Sequence, residues 1–213
     1  MHEVRSAIYP GTFDPLTNGH LSLIRRSREL FDQIIVAVAR ETPKKPLFSL
    51  EERVALAREA IGDAPGIVVE PFEGLLVDYV ANHNIQIIVR GLRAVSDFEY
   101  EFQLALMNRK LRREIQTVFL MTDYQWLYIS STIIKAAASL GGDIHDLVPL
   151  CVEQRLKEKY AAGAVRKGTP CLAPSVGGFA LTDEDADEET DADGPNTKPN
   201  PKPDPTPHTD KSA

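Results

Sequence analysis

The chain has 213 residues, 43% of them apolar and 26% charged, which is enough sequence for one sizeable core. Its formal charge of −7 is unevenly placed, because residues 165–213 hold ten acids against five bases and the rest lies within two charges of neutral. That balance excludes the strongly basic face of a nucleic-acid binder, and no run of about 20 apolar residues suits a membrane span, so neither is an expected partner.

Taken in order, residues 4–9 read as a buried strand that runs into Tyr9-Pro10-Gly11-Thr12-Phe13-Asp14-Pro15-Leu16-Thr17-Asn18-Gly19-His20. A helix over 18–31 follows, with Leu21, Leu23, Ile24 and Leu30 close to helical spacing. With Asn18 as its N-cap, Gly19 and His20 fall in the first turn, where free N–H groups and the helix dipole favour an anion. Strand-like runs recur at 33–39, 67–71, 85–89 and 115–121, and helical patterns at 50–61, 74–83, 98–112 and 131–139. Ser49 with Glu52 forms a capping box at the second helix, and a last helical pattern spans about 150–160. Ile34-Ile35-Val36-Ala37-Val38 and Ile85-Gln86-Ile87-Ile88-Val89 are nearly continuous apolar runs, as parallel strands covered on both faces require. The expectation is an α/β, Rossmann-like doubly wound sheet of five parallel strands with helices on both faces.

Residues 1–163 are thus read as one domain and 164–213 as a disordered tail. Residues 183–193 carry eight acids and 195–207 six prolines, a composition that buries too little apolar surface to order itself. Cys151 and Cys171 lack metal-ligand spacing and read as free thiols. With no apolar leader in the first residues, they place the protein in the cytoplasm.

In an open α/β sheet, ligands bind beyond the carboxyl ends of the strands, where the strand order reverses. The loop from Pro10 to His20 meets that condition, and lacks both the G-x-G-x-x-G and the P-loop pattern. Arg90-Gly91-Leu92-Arg93, after the fourth strand, puts two guanidinium groups at the same edge, where they suit phosphate. They equally fit an ion network with Asp97, Glu99 or Glu101. Ser130-Ser131-Thr132 places three hydroxyls at a helix start, and Trp126, with Tyr124 and Tyr128 beside it, suits either a base or the core. Lys44 and Lys45 lie between Pro43 and Pro46, either over a site or simply in solvent. Together these loops point to a polyphosphate ligand, and a nucleotide is the natural candidate. No H-E-x-x-H or carboxylate dyad is present.

These residues resemble bacterial phosphopantetheine adenylyltransferases of the nucleotidyltransferase superfamily, whose mark is a T/H-x-G-H element, here Thr17-Asn18-Gly19-His20. The likeness extends through Tyr9-Pro10-Gly11-Thr12-Phe13-Asp14-Pro15, Lys44-Lys45-Pro46, Ser49-Leu50-Glu51-Glu52-Arg53, Arg90 to Arg93, Asp97-Phe98-Glu99-Tyr100-Glu101 and Ile129-Ser130-Ser131-Thr132. It covers residues 5–160; a threonine at 132 replaces the family's usual serine, and the tail lies outside the pattern. The T/H-x-G-H element is shared with cytidylyltransferases and nicotinamide mononucleotide adenylyltransferases, whereas the R-G-L-R and D-F-E-Y-E runs are specific to this family.

The resemblance implies reversible adenylyl transfer from ATP to 4'-phosphopantetheine, with Mg²⁺, giving dephospho-coenzyme A and pyrophosphate. It implies catalytic roles for His20 and Lys44. It implies ATP contacts from Thr12, Phe13, His20, Gly91, Leu92, Arg93, Glu101, Trp126, Leu127, Tyr128, Ile129, Ser130, Ser131 and Thr132. For phosphopantetheine it implies Thr12, Lys44, Leu76 and Arg90, and it names no protein ligand for the metal. A homohexamer inhibited by coenzyme A is the implied assembly.

Overall fold

A computed structural model describes residues 4–42, 45–93 and 95–166, all within one compact unit, Met1–Thr169. Lys44 and all but the first three residues of the expected tail lie outside the described residues.

The elements run β1 (Ser6–Gly11), α1 (Asn18–Leu30), β2 (Gln33–Ala39), α2 (Leu50–Ile61), β3 (Ile67–Phe72), α3 (Leu76–Asn82), β4 (Ile87–Leu92), α4 (Val95–Leu111), β5 (Gln116–Met121), a 3-10 turn (Tyr124–Trp126), α5 (Ser131–Ser139) and α6 (Leu150–Arg166). The five strands form one parallel sheet in the order β3-β2-β1-β4-β5, as the alternation of apolar runs and helices requires. Alternate residues of a strand face opposite sides, so the continuous apolar runs fill two cores. Ala7, Tyr9, Ile34, Val36 and Val38 join α1, α2, α5 and α6 through Ile24, Leu56, Ile134 and Leu156. Ile8, Ile35, Ala37 and Ile88 face the other way, against Val77 and Val80 of α3.

The chain leaves β1 toward β2 and β3 on one side and returns to β4 and β5 on the other, so the order reverses between β1 and β4. Their carboxyl ends carry Gly11 and Leu92, which frames a crevice from the two loops singled out in the sequence.

Several element bounds differ from expectation for local reasons. α3 begins at Leu76 rather than 74 because Gly74 has φ +78, outside the helical region. α4 begins at Val95 rather than 98. β4 starts at Ile87 and continues past Val89, because Arg90, Gly91 and Leu92 stay paired with Phe119, Leu120 and Met121 of β5. A charged residue ended the apolar run without ending the strand. Gly91 is therefore a strand residue, and a Cβ there would come within 2.3 Å of Leu23 Cδ1, so α1 packs on β4 at a distance that suits glycine.

Candidate active site

The first loop leaves β1 through Phe13, whose φ of +49 is rare for a side-chain-bearing residue, and reaches α1 at Thr17. Thr17, not Asn18, is the N-cap, since the Thr17 hydroxyl accepts the His20 N–H at 3.4 Å and His20 Nδ1 accepts the Thr17 N–H at 3.0 Å. This is a capping box with histidine in the place of the usual Glu or Gln. Asn18 instead turns outward to Asp146 and Leu147, whose carbonyls accept its side-chain and backbone N–H groups at 2.8 and 3.0 Å.

The box fixes the chemistry of His20. An Nδ1 that accepts a backbone N–H leaves the ring proton on Nε2, so the free edge of the imidazole is a donor. Burial, followed by the charge of Arg93, lowers its pKa from 6.5 to about 4, which keeps the ring neutral at pH 7. Phe13 packs edge-on against it with ring centroids 5.2 Å apart.

Across the crevice, Arg90 points Nε at Glu101 Oε2 at 2.6 Å and Nη1 at the Pro10 carbonyl at 3.2 Å. Arg93 meets Asp97 at 2.7 Å and the Ile129 carbonyl at 3.0 Å. Both arginines thus pair with acids four residues apart on α4, and the ion-network reading holds alongside their place in the crevice. Burial works against the charge of Arg90, but the hydrogen bonds and charge of Glu101 outweigh it and raise the pKa. Glu101 acts here as the seat of a guanidinium.

The three hydroxyls at α5 divide their work. Ser130 caps the helix through the Ile133 N–H at 3.1 Å, and Ser131 donates to the Pro15 carbonyl at 2.7 Å. Thr132 lines the crevice with them.

Three charged residues that sequence reasoning left unassigned also shape the edge. Asp14, 5% exposed, accepts the Leu47 and Phe48 N–H groups, each at 2.9 Å, and pairs with Lys135 of α5. Lys135 lies one turn after Ser131, an i,i+4 spacing that puts both on one face and was the available signal. Arg53, 1% exposed, binds the carbonyls of Thr12 and Ala39 at 2.8 Å each and of Phe48 at 3.2 Å, tying the first two loops together.

Two cavities open at this edge. The larger, about 570 Å³, is lined by Gly11, Gly91, Arg90, Arg93, Glu101, Trp126, Ile129 and Ser130 among others. The smaller, about 280 Å³, is lined by Thr12, Asp14, Thr42, Lys45, Pro46 and Lys135. They share Phe13, His20, Ser131 and Thr132, so the imidazole stands where the two meet. Leu76, Leu92, Leu127 and Tyr128 line neither: Leu92 is 7% exposed in the interior, while Leu127 and Tyr128 are 39% and 68% exposed. Leu76 packs partly against the core of the α3 face. Among the described residues no three His, Cys, Asp or Glu side chains group as a metal cage, and Asp14, Asp97 and Glu101 each already hold a cation.

A parallel sheet whose switch point carries arginines, hydroxyls and a neutral histidine between two cavities is an arrangement suited to a nucleotide ligand. Residues 8–137 match the cytidylyltransferase-like family. The phosphopantetheine adenylyltransferase of Nitratidesulfovibrio vulgaris is 73% identical over 154 residues, covering 72% of this chain and 83% of that one. The protein of the same name from Lawsonia intracellularis is 61% identical over 158 residues, covering 74% and 92%. A bifunctional NMN adenylyltransferase/ADP ribose pyrophosphatase from Francisella tularensis, solved with AMP and a manganese ion, shares the fold at a TM-score of 0.57 and 15% identity. The matched part covers 78% of this chain and about half, 53%, of that one. The chain belongs to the phosphopantetheine adenylyltransferase family.

Proposed function

We propose that the protein transfers the adenylyl group of ATP to 4'-phosphopantetheine, giving dephospho-coenzyme A and pyrophosphate, and that the reaction is reversible. The observation that carries this reading is the meeting of two cavities at His20, one imidazole reaching the space where two phosphorylated substrates would touch.

An oxygen of the acceptor phosphate attacks the α-phosphorus of ATP. A P–O bond forms, the bond to the β-phosphate breaks, and pyrophosphate leaves with its electron pair. The nucleophile is already an anion, so no proton need be removed and no covalent enzyme intermediate is required. Catalysis then rests on positioning and on charge stabilisation. Neutral His20 donates Nε2–H to the α-phosphate oxygen on which charge builds. By family likeness Lys44 shares that task and Thr12 touches both substrates. Arg90 holds the acceptor, while Gly91, Arg93 and the stretch from Trp126 to Thr132 take the nucleotide.

Mg²⁺, if bound with the nucleotide, would supply neutralisation of phosphate charge. The carboxylates at the edge are already engaged, so no protein ligand is assigned. Coenzyme A shares the pantetheine and adenylate parts of both substrates, which supports its reading as a feedback inhibitor of the same cavity. The assembly is read as a homohexamer, the contact with a second copy falling on α4, where Phe98, Phe102, Leu106 and Met107 are 45–57% exposed. None of the helices among the described residues is long and apolar enough to cross a membrane, and Cys151 is a free thiol; the cytoplasm is the proposed location.

Pyrophosphate release measured with ATP or CTP, with and without 4'-phosphopantetheine, tests the reading. Release is expected only with ATP and the acceptor together. Release that ignores the acceptor, or that prefers CTP, defeats it.

A further inference from the structure

Three of the four residues in Thr17-Asn18-Gly19-His20 have work that leads to the fourth. Thr17 fixes the His20 ring through the capping box. Gly19 lies so close to the 3-10 turn that a Cβ there would come within 3.2 Å of Trp126 Cβ. Asn18 makes the remaining link, to the segment between α5 and α6, by two bonds that span nearly the whole domain: Nδ2 to the Asp146 carbonyl at 2.8 Å and N–H to the Leu147 carbonyl at 3.0 Å.

Those carbonyls stand on firm backbone. Ile144 and Val148, each 2% exposed, bury the segment on both sides, and the Leu147 N–H returns to the Ile144 carbonyl at 3.0 Å. His145 Nδ1 lies 2.9 Å from Glu153 Oε2, a carboxylate on α6 that is 5% exposed. The His145 N–H is held by Asp143 at 3.0 Å. The first turn of α1 therefore lies close to Trp126 on one side and is tied on the other to a loop anchored to α6.

We propose that Asn18 is a positioning residue for the transfer reaction: its carboxamide fastens the first turn of α1 to residues 146 and 147 and thereby sets where His20 Nε2 meets the α-phosphate. The inference rests on the adenylyl-transfer reading for its effect on rate. A donor displaced by a fraction of an ångström loses much of its worth in the transition state, while both substrates still bind through the arginine and serine groups.

The test uses the full chain with Asn18→Ala, Asn18→Asp, His20→Ala and the double variant Asn18→Ala/His20→Ala. For Asn18→Ala, kcat is expected to fall about tenfold with the KM values of both substrates within about twofold. Asn18→Asp keeps the size but turns an oxygen toward the Asp146 carbonyl, so it should be at least as damaging. In the double variant the Asn18 substitution should cost nothing beyond His20→Ala, because a residue that acts through His20 has nothing left to position. An active Asn18→Asp, or a further tenfold loss in the double variant, overturns the proposal. A second measurement needs no substrate: the His20 imidazole, followed by NMR, should titrate at a higher pH in Asn18→Ala than in the unaltered chain, and an unchanged titration counts against the role. If the unaltered chain shows no acceptor-dependent turnover, the adenylyl-transfer reading falls, and the titration still decides the place of Asn18.

Discussion

His20 is legible in the sequence as a histidine in a first helical turn, but its state is set by a contact that the sequence reading put on the wrong residue. Thr17 rather than Asn18 caps α1, and the cap is reciprocal, so Nδ1 is spent on the Thr17 N–H and Nε2 keeps the proton. His20→Ala should lower kcat roughly 10²-fold with far less change in the KM for ATP, the loss typical of one transition-state donor. The pH dependence follows from the direction of the shift. Folding lowers the pKa from 6.5 to about 4, so between those values the unfolded chain binds the proton more tightly. This contribution to stability is therefore full above about pH 6.5 and is lost as the pH falls toward 4. Thermal melts of the unaltered chain and of His20→Gln should converge in their pH dependence above that window and diverge within it. For the same reason kcat/KM should show no limb from His20 near 6.5. Arg90 and Glu101 make a pair whose members the family likeness assigns to different substrates. Because Glu101 seats the Arg90 guanidinium, Arg90→Ala and Glu101→Gln should both raise the KM for 4'-phosphopantetheine more than that for ATP. A Glu101→Gln effect confined to ATP would return that residue to the nucleotide.

At the scale of elements, the strands and helices were readable wherever an apolar run or period was uninterrupted, and misplaced where chemistry interrupted it. Residues 33–39, 50–61 and 131–139 fall where the pattern puts them, matching β2, α2 and α5. β4 continues past Arg90, and a polarity pattern cannot see that a strand goes on pairing through an arginine. α4 is the element whose pattern is least informative alone. It carries acids toward Arg90 and Arg93 and leaves Phe98, Phe102, Leu106 and Met107 largely exposed. A helix apolar on its outer face needs cover, and the proposed assembly would supply it from a second copy. Leu106→Glu, at a position 53% exposed in the single chain, should leave folding intact and reduce the mass of the assembly measured by light scattering. An unchanged mass would remove α4 from the contact.

For the whole molecule, the parallel sheet and its switch point were legible because five βα units leave few arrangements, and β1 and β4 carry the loops that the sequence marked. The joining of distant segments was not legible. Asp14 with Lys135, Arg53 with the carbonyls of Thr12 and Ala39, and Asn18 with residues 146 and 147 span separations that no local pattern encodes. Leu76, Leu92, Leu127 and Tyr128, which the likeness also names, line neither cavity. What unites the molecule is two cavities meeting at one neutral imidazole, the arrangement on which the proposal of direct transfer between two bound substrates rests. The measurement that addresses this most directly is the fate of label from α-phosphate-labelled ATP incubated with 4'-phosphopantetheine and the protein. The label should appear in dephospho-coenzyme A, with one pyrophosphate for each transfer and none retained by the chain. Label left on the protein, or released as AMP while phosphopantetheine stays unmodified, would contradict direct transfer at His20.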